Sequence, residues 1–166
     1  MPERAAANFI VRPAEAPELS DIEALFRAYA AGLPVDLSAQ GFDRELAELP
    51  GAYAPPKGAL LIARGGDGAA LGCIALRPLS ESACEVKRLF VRPQARGTGV
   101  GKALVAAIID AAAGIGYREI KLDTLDHMQG AVRLYRSFGF APIPSYGTHP
   151  YEGLVCFGKT LDPRSR

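Results

Sequence analysis

Gln94-Ala95-Arg96-Gly97-Thr98-Gly99-Val100-Gly101-Lys102 joins an alternating, strand-like run (83–91, ACEVKRLFV) to a long apolar helical stripe. The first N–H groups of a helix lack partners, and together with the helix dipole they favour an anion, so phosphate is the natural guest of such a junction. Three glycines at 97, 99 and 101 cost backbone entropy that an ordinary helix start avoids. That cost points to a backbone kept bare for a ligand; the plainer reading is a tight turn before a packing helix. Two familiar phosphate loops fail by counting. A Walker A loop needs Gly where Arg96 stands and Ser or Thr where Ala103 stands. A dinucleotide fingerprint starting at Gly97 needs its third glycine at Lys102 and a parallel βαβ setting.

Working outward, 58–64 (GALLIAR), 69–76 (AALGCIAL) and 83–91 are separated by connections too short for parallel crossovers, so they read as an antiparallel meander. Residues 8–12 (NFIVR) form a further short strand ended by Pro13. Leu19, Ile22, Phe26 and Tyr29 recur at helical spacing after Pro17, and Phe42, Leu46 and Leu49 mark a short second helix. The helix opened by the glycine loop carries Val100, Leu104, Ile108, Ala112 and Ile115 and closes at Gly114 and Gly116. A strand over 118–125, a helix through Ala131, Leu134, Tyr135 and Phe138, and a last strand within 151–161 complete an α+β mixed sheet.

Composition narrows the function. The 166 residues carry 19 Lys and Arg against 18 Asp and Glu, a formal net charge of +1, without the basic excess that a nonspecific grip on nucleic acid requires. This length suits one domain over 1–166, with about residues 1–7 frayed. Cys73, Cys84 and Cys156 are odd in number and set in apolar runs, so they read as buried hydrophobes in a reducing, cytoplasmic setting. With no CxxC, no HExxH and His127 and His149 as the histidines, no metal is expected. No apolar run approaches the roughly 18 residues of a membrane span, and the start is too short in apolar residues for a signal segment, so no membrane partner is expected.

The loop resembles the pyrophosphate loop of the GNAT superfamily of acetyl-CoA-dependent N-acetyltransferases: Arg or Gln, two residues, Gly, one residue, then Gly or Ala. The similarity runs from VKRLFVRP before the loop, through KALVAAIIDAAAGIGYREIKLDT, to VRLYRSFGF at 132–140, covering 69–140 well and the rest loosely. It implies an α+β, GNAT-like, mostly antiparallel central sheet flanked by helices, with acetyl-CoA as cosubstrate. It further implies that the N–H groups of Arg96, Gly97, Thr98, Gly99, Val100 and Gly101 surround the CoA pyrophosphate, within a loop bounded by Gln94 and Lys102. Arg92, Arg96 and Lys102 either add charge there or are simply solvated. The strand carrying Leu89, Phe90 and Val91 is implied to splay from the strand at 120–124, its peptide groups pairing with the pantetheine arm and the Leu89 N–H donating to the acetyl carbonyl. One departure is Met128, where the family often has Asn.

Acetyl transfer to an amine needs the amine neutral, the carbonyl oxygen stabilised and the leaving thiolate protonated. Glu85 is the candidate base, at a place where several superfamily members keep a glutamate; the alternative is a solvent-facing residue paired with Lys87 or Arg88. Tyr135 matches the family's tyrosine and is the candidate general acid, since a phenol stays protonated at neutral pH; its place on the Ala131, Leu134, Phe138 stripe equally suits packing. Tyr29, Gln40, Tyr146, His149 and Tyr151 are candidates for the acceptor wall, although the last segment also suits a rigid crossing between strands. The leading expectation is direct transfer to a primary amine of a small metabolite, such as an amino acid or polyamine-like compound. A protein or peptide acceptor and a non-catalytic acetyl-CoA sensor stay open, and a homodimer is a reasonable prior for a cytoplasmic enzyme.

Overall fold

The computed structural model describes residues 8–34, 36–37, 41–147 and 153–162. The expected frayed start at 1–7, and Gln40, His149 and Tyr151, lie outside the described residues. Seven strands form one sheet in the order β1-β2-β3-β4-β5-β7-β6. These are β1 (Phe9–Pro13), β2 (Ala59–Gly65), β3 (Ala70–Pro78), β4 (Ala83–Val91), β5 (Glu119–Leu125), β6 (Ala141–Ile143) and β7 (Leu154–Thr160). β1 to β4 pair antiparallel in succession, and among β2, β3 and β4 the short connections dictate it. β4 and β5 run parallel, which their intervening helix permits, and β7 lies antiparallel between β5 and β6. The expected α+β mixed sheet is present. Strand β6 is additional, and Pro142 inside it is tolerated because the strand lies at the sheet edge, where a missing N–H costs no ladder bond.

Four helices cover the two faces: α1 (Leu19–Ala31), α2 (Phe42–Ala47), α3 (Val100–Ile115) and α4 (Gln129–Ser137). Pro17 sits in a 3-10 turn, Ala16–Glu18, that leads into α1. On one face α1 and α2 pack Ile22, Leu25, Phe26, Phe42 and Leu46 against Leu60, Ile62, Cys73 and Ala75. On the other, α3 buries Val100, Leu104, Val105, Ile108 and Ala112 against Leu61, Ile74, Leu76, Cys84, Val86, Ile120 and Leu122. Ile115, expected on the buried stripe, is exposed at the last turn of α3, just before Gly116 ends the helix in the left-handed region at φ 111°. Cys73, Cys84 and Cys156 are free and buried, as their apolar surroundings indicated. No helix among the described residues is long and apolar enough to cross a membrane.

Two departures from regular pairing shape the centre of the sheet. Between β3 and β4 the register shifts: Cys73 opposes Phe90 but Ala75 opposes Lys87, leaving an extra residue on β4. Arg88 adopts φ 62° there, so the strand bulges. The pairing of β4 with β5 stops at Glu85 and Lys121, and beyond that point the two strands part. The splay expected from the resemblance is therefore present, and it lies beside the bulge.

Candidate active site

At the glycine loop, Gly97 and Gly99 have φ of 76° and 92°, a left-handed backbone that other residues adopt at a cost. Turn geometry thus requires two of the three glycines, which joins the two readings of the loop. The first helical bond of α3 runs from the Ala103 N–H to the Gly99 carbonyl. The N–H groups of Gly97, Thr98, Gly99, Val100, Gly101 and Lys102 therefore donate to no backbone carbonyl among the described residues. Six amides without a backbone acceptor at a helix start can cradle an anion.

A cavity of about 610 Å³ borders this cradle, lined in part by Leu89, Phe90, Val91, Arg96, Gly97 and Gly101. Arg96 folds over it, its guanidinium 6.0 Å from the Phe90 ring centroid and its Nε donating to the Val91 carbonyl at 3.1 Å. Arg92 is instead tied to β3 through the Ala70 carbonyl at 2.9 Å. Gln94, Thr98, Gly99 and Lys102 are exposed, while the Val100 side chain lies in the core and offers the cradle its N–H.

Where β4 and β5 part, a narrow passage of about 70 Å³ continues from that cavity. Leu89, Met128, Ala131 and Tyr29 line both spaces. Tyr135 on α4 faces the passage, its ring edge-on to Phe140 with centroids 5.6 Å apart. Burial holds its phenol above the ordinary value, so it is protonated at neutral pH. Its hydroxyl makes no hydrogen bond among the described residues and is not sealed from the passage. Met128 caps α4 and lines the passage, accepting at its sulfur from the Thr124 hydroxyl at 3.8 Å.

On the α1 and α2 face the passage meets a third space, a chamber of about 360 Å³ rimmed by charge. Glu85 lies here with 2% of its surface exposed, not facing solvent. Its carboxylate accepts from Arg77 Nε at 2.7 Å and from the Tyr146 hydroxyl at 2.5 Å, with Lys87 Nζ at 3.9 Å. Of the two partners expected from sequence, Lys87 is close and Arg88 is not a partner. Arg88 is buried between Tyr29 and Phe42, 5.7 and 5.3 Å from their ring centroids, and grips Glu45. Burial is the largest single influence and acts to lower the Arg88 pKa, but the hydrogen bonds and charge of Glu45, together with Tyr53 and Tyr29, outweigh it in sum and the guanidinium is held charged.

Tyr29 and Tyr146, expected on the acceptor wall, both line these spaces. Tyr146 also stacks beneath Lys121 Nζ, 5.4 Å from its ring centroid, and burial, then the Glu85 charge, raise its phenol pKa. Arg77 and Asp123 also line the chamber without having been singled out from sequence, where Lys87 and Arg88 figured only as partners of Glu85. The bulge explains Arg88: an extra residue shifts the strand's alternation, so Arg88 shares a face with Glu85 and Lys87 while Leu89 and Val91 join Cys84 and Val86. No group of three or more His, Cys, Asp or Glu is assembled for a metal among the described residues.

This arrangement matches known proteins. A profile described as the acetyltransferase (GNAT) family matches residues 22–140. A Schizosaccharomyces pombe protein named as an uncharacterized N-acetyltransferase is 42% identical over 139 residues, covering 83% of this chain and 85% of its own. A solved acyl-CoA N-acyltransferase structure from Klebsiella pneumoniae aligns with a TM-score of 0.74 at 26% identity, over 93% of this chain and 98% of that one. A Salmonella typhimurium acetyltransferase solved with its cofactor acetyl-CoA aligns at TM-score 0.70 and 17% identity, over 95% and 96% of the two chains, and shares the fold. The chain belongs to the GNAT acetyltransferase family and is an acyltransferase.

Proposed function

We propose that this enzyme moves the acetyl group of acetyl-CoA to a primary amine of a small molecule, by direct transfer in a ternary complex. The observation carrying the proposal is the adjacency of three spaces at the β4–β5 splay, which share lining residues: a cavity beside the free amides, a narrow passage and a charged chamber. The six free N–H groups fit a diphosphate, and the unpaired edge of β4 through Leu89 to Val91 fits an extended arm bearing amides. The chamber's volume suits a small molecule held by a few polar groups. Three free buried thiols accord with a reducing, cytoplasmic location.

Bound acetyl-CoA supplies the thioester, whose acetyl carbon gains a bond to nitrogen as its bond to sulfur breaks. The Leu89 N–H, beyond the point where β4–β5 pairing stops, donates toward the developing carbonyl anion. Tyr135 holds a proton at its phenol oxygen for the departing sulfur and regains one from the new amide nitrogen. Glu85 receives the proton of the incoming ammonium through water, since both of its oxygens already accept hydrogen bonds. One proton is released for each acetyl transferred.

Calorimetry with acetyl-CoA and a thiol-release assay with small primary amines test the proposal. The expected result is tight binding without amine and thiol release dependent on amine. Absence of binding at millimolar acetyl-CoA, or acetylation of peptides to the exclusion of small amines, overturns it.

A further inference from the structure

Three carboxylates rim the chamber, and two are occupied. Glu45 accepts two hydrogen bonds from Arg88, and Glu85 accepts from Arg77 and Tyr146. Asp123, on β5, accepts no hydrogen bond among the described residues; its charge contact is Lys87 Nζ at 3.9 Å, beyond hydrogen-bond reach. Lys87 lies 3.9 Å from Glu85 as well, an ion pair shared between the two carboxylates that gives a hydrogen bond to neither. Position separates the three further. Glu45 and Glu85 border the chamber but not the passage, whereas Asp123 borders both the chamber and the passage toward Tyr135 and Leu89. Its side chain is 28% exposed, enough for a ligand to reach.

We propose that Asp123 is the group that binds the acceptor's ammonium at the mouth of the passage, selecting a small aliphatic primary amine that is cationic in water. The proposal rests on the acetyl-transfer reading above and adds the acceptor's anchor to it. A primary ammonium brings three N–H donors to a carboxylate with its lone pairs free, the strong charge-assisted form of hydrogen bond. Held there, the nitrogen stands on the chamber side of the splay. Glu85 remains the proton's destination, and no bond forms or breaks at Asp123.

Asp123→Asn and Asp123→Ser are compared with wild type, so that a folding defect in one leaves the other informative. The probes are glycine, putrescine and tyramine. Their Kd is measured by calorimetry in the presence of saturating CoA, and their KM in the transfer assay. Acetyl-CoA Kd and melting temperature are followed alongside. Both variants are expected to raise the Kd and KM of the best amine roughly tenfold or more, with acetyl-CoA Kd within about twofold of wild type. Amine Kd and KM unchanged in a folded variant overturn the assignment while the transfer reading stands. A parallel loss of acetyl-CoA affinity also overturns it, because Asp123 then supports the passage instead of the amine. Wild-type protein that binds acetyl-CoA but none of the three amines removes the small-amine class. Wild-type protein that fails to bind acetyl-CoA removes the transfer reading itself.

Discussion

Arg88 and Glu45 lock α2 onto the bulge of β4: Nε donates at 3.0 Å and Nη2 at 2.9 Å to the two oxygens of one carboxylate. The residue so gripped is the one with φ 62°, immediately before the Leu89 peptide at the mouth of the splay. A left-handed non-glycine residue persists when its surroundings over-determine it, and here a bidentate pair and two aromatic rings do so. Helix α2 and the Leu89 peptide are thereby mechanically joined.

Removing one partner leaves a buried charge uncompensated. Glu45→Gln is expected to cost about 3 kcal/mol in urea denaturation, and Glu45→Gln with Arg88→Met to recover part of it. The single variant is also expected to lower kcat more than it weakens acetyl-CoA binding, through a mispositioned Leu89 N–H. Wild-type stability in the single variant would show that the pair contributes nothing.

In the glycine loop, Gly99→Glu places negative charge beside the amide cradle at a φ of 92°. It is expected to weaken acetyl-CoA binding severely by calorimetry while the domain still melts cooperatively. Gly99→Ala serves as the control for strain, costing about 1 kcal/mol of stability with most affinity retained. Equal affinities in Gly99→Glu and wild type would exclude this loop as the diphosphate site.

The two proposed proton-handling groups separate from binding. Tyr135→Phe is expected to lower kcat about 100-fold, with acetyl-CoA Kd unchanged because the phenol has no hydrogen bond to lose among the described residues. Glu85→Gln is expected to lower kcat similarly at neutral pH. Full turnover in both variants with every amine assayed would remove these residues from the chemistry.

Away from the site, Glu18 accepts from Arg12 at 2.5 and 3.1 Å and from Arg64 at 2.7 Å. The Arg12 hydrogen bond chiefly, with the Glu15 N–H and Arg64, lowers its pKa from 4.5 to about 2, against the opposing effect of burial. A carboxyl depressed on folding adds stability above its unfolded value and loses it as pH falls through the folded one. Wild type is therefore expected to exceed Glu18→Gln in urea midpoint at neutral pH, the gap closing between pH 4.5 and about 2. A gap constant with pH would assign Glu18 a packing role.

Burial pushes the thiols of Cys73 and Cys84 up to about 12. Neither is expected to react with a thiol reagent at mildly alkaline pH until the chain is unfolded, as counted by mass spectrometry. Rapid native labelling at either position would contradict their burial.

Much of this was legible in the sequence. Short connections made the meander antiparallel, helical spacing placed α1, α3 and α4, and glycines at a strand-to-helix junction marked the turn that opens α3. Strand β6 escaped because Pro142 argues against a strand unless the segment is known to lie at an edge, which is a property of the assembled sheet.

The charged chamber was not legible for a related reason. Local sequence determines propensity, periodicity and backbone freedom, so it determined the elements and the loop. The partnership of Arg77 with Glu85, of Arg88 with Glu45, and the openness of Asp123 depend on one extra residue in β4 and on where β5 and α2 come to rest beside it. Those are long-range distances, and tertiary packing alone decides them.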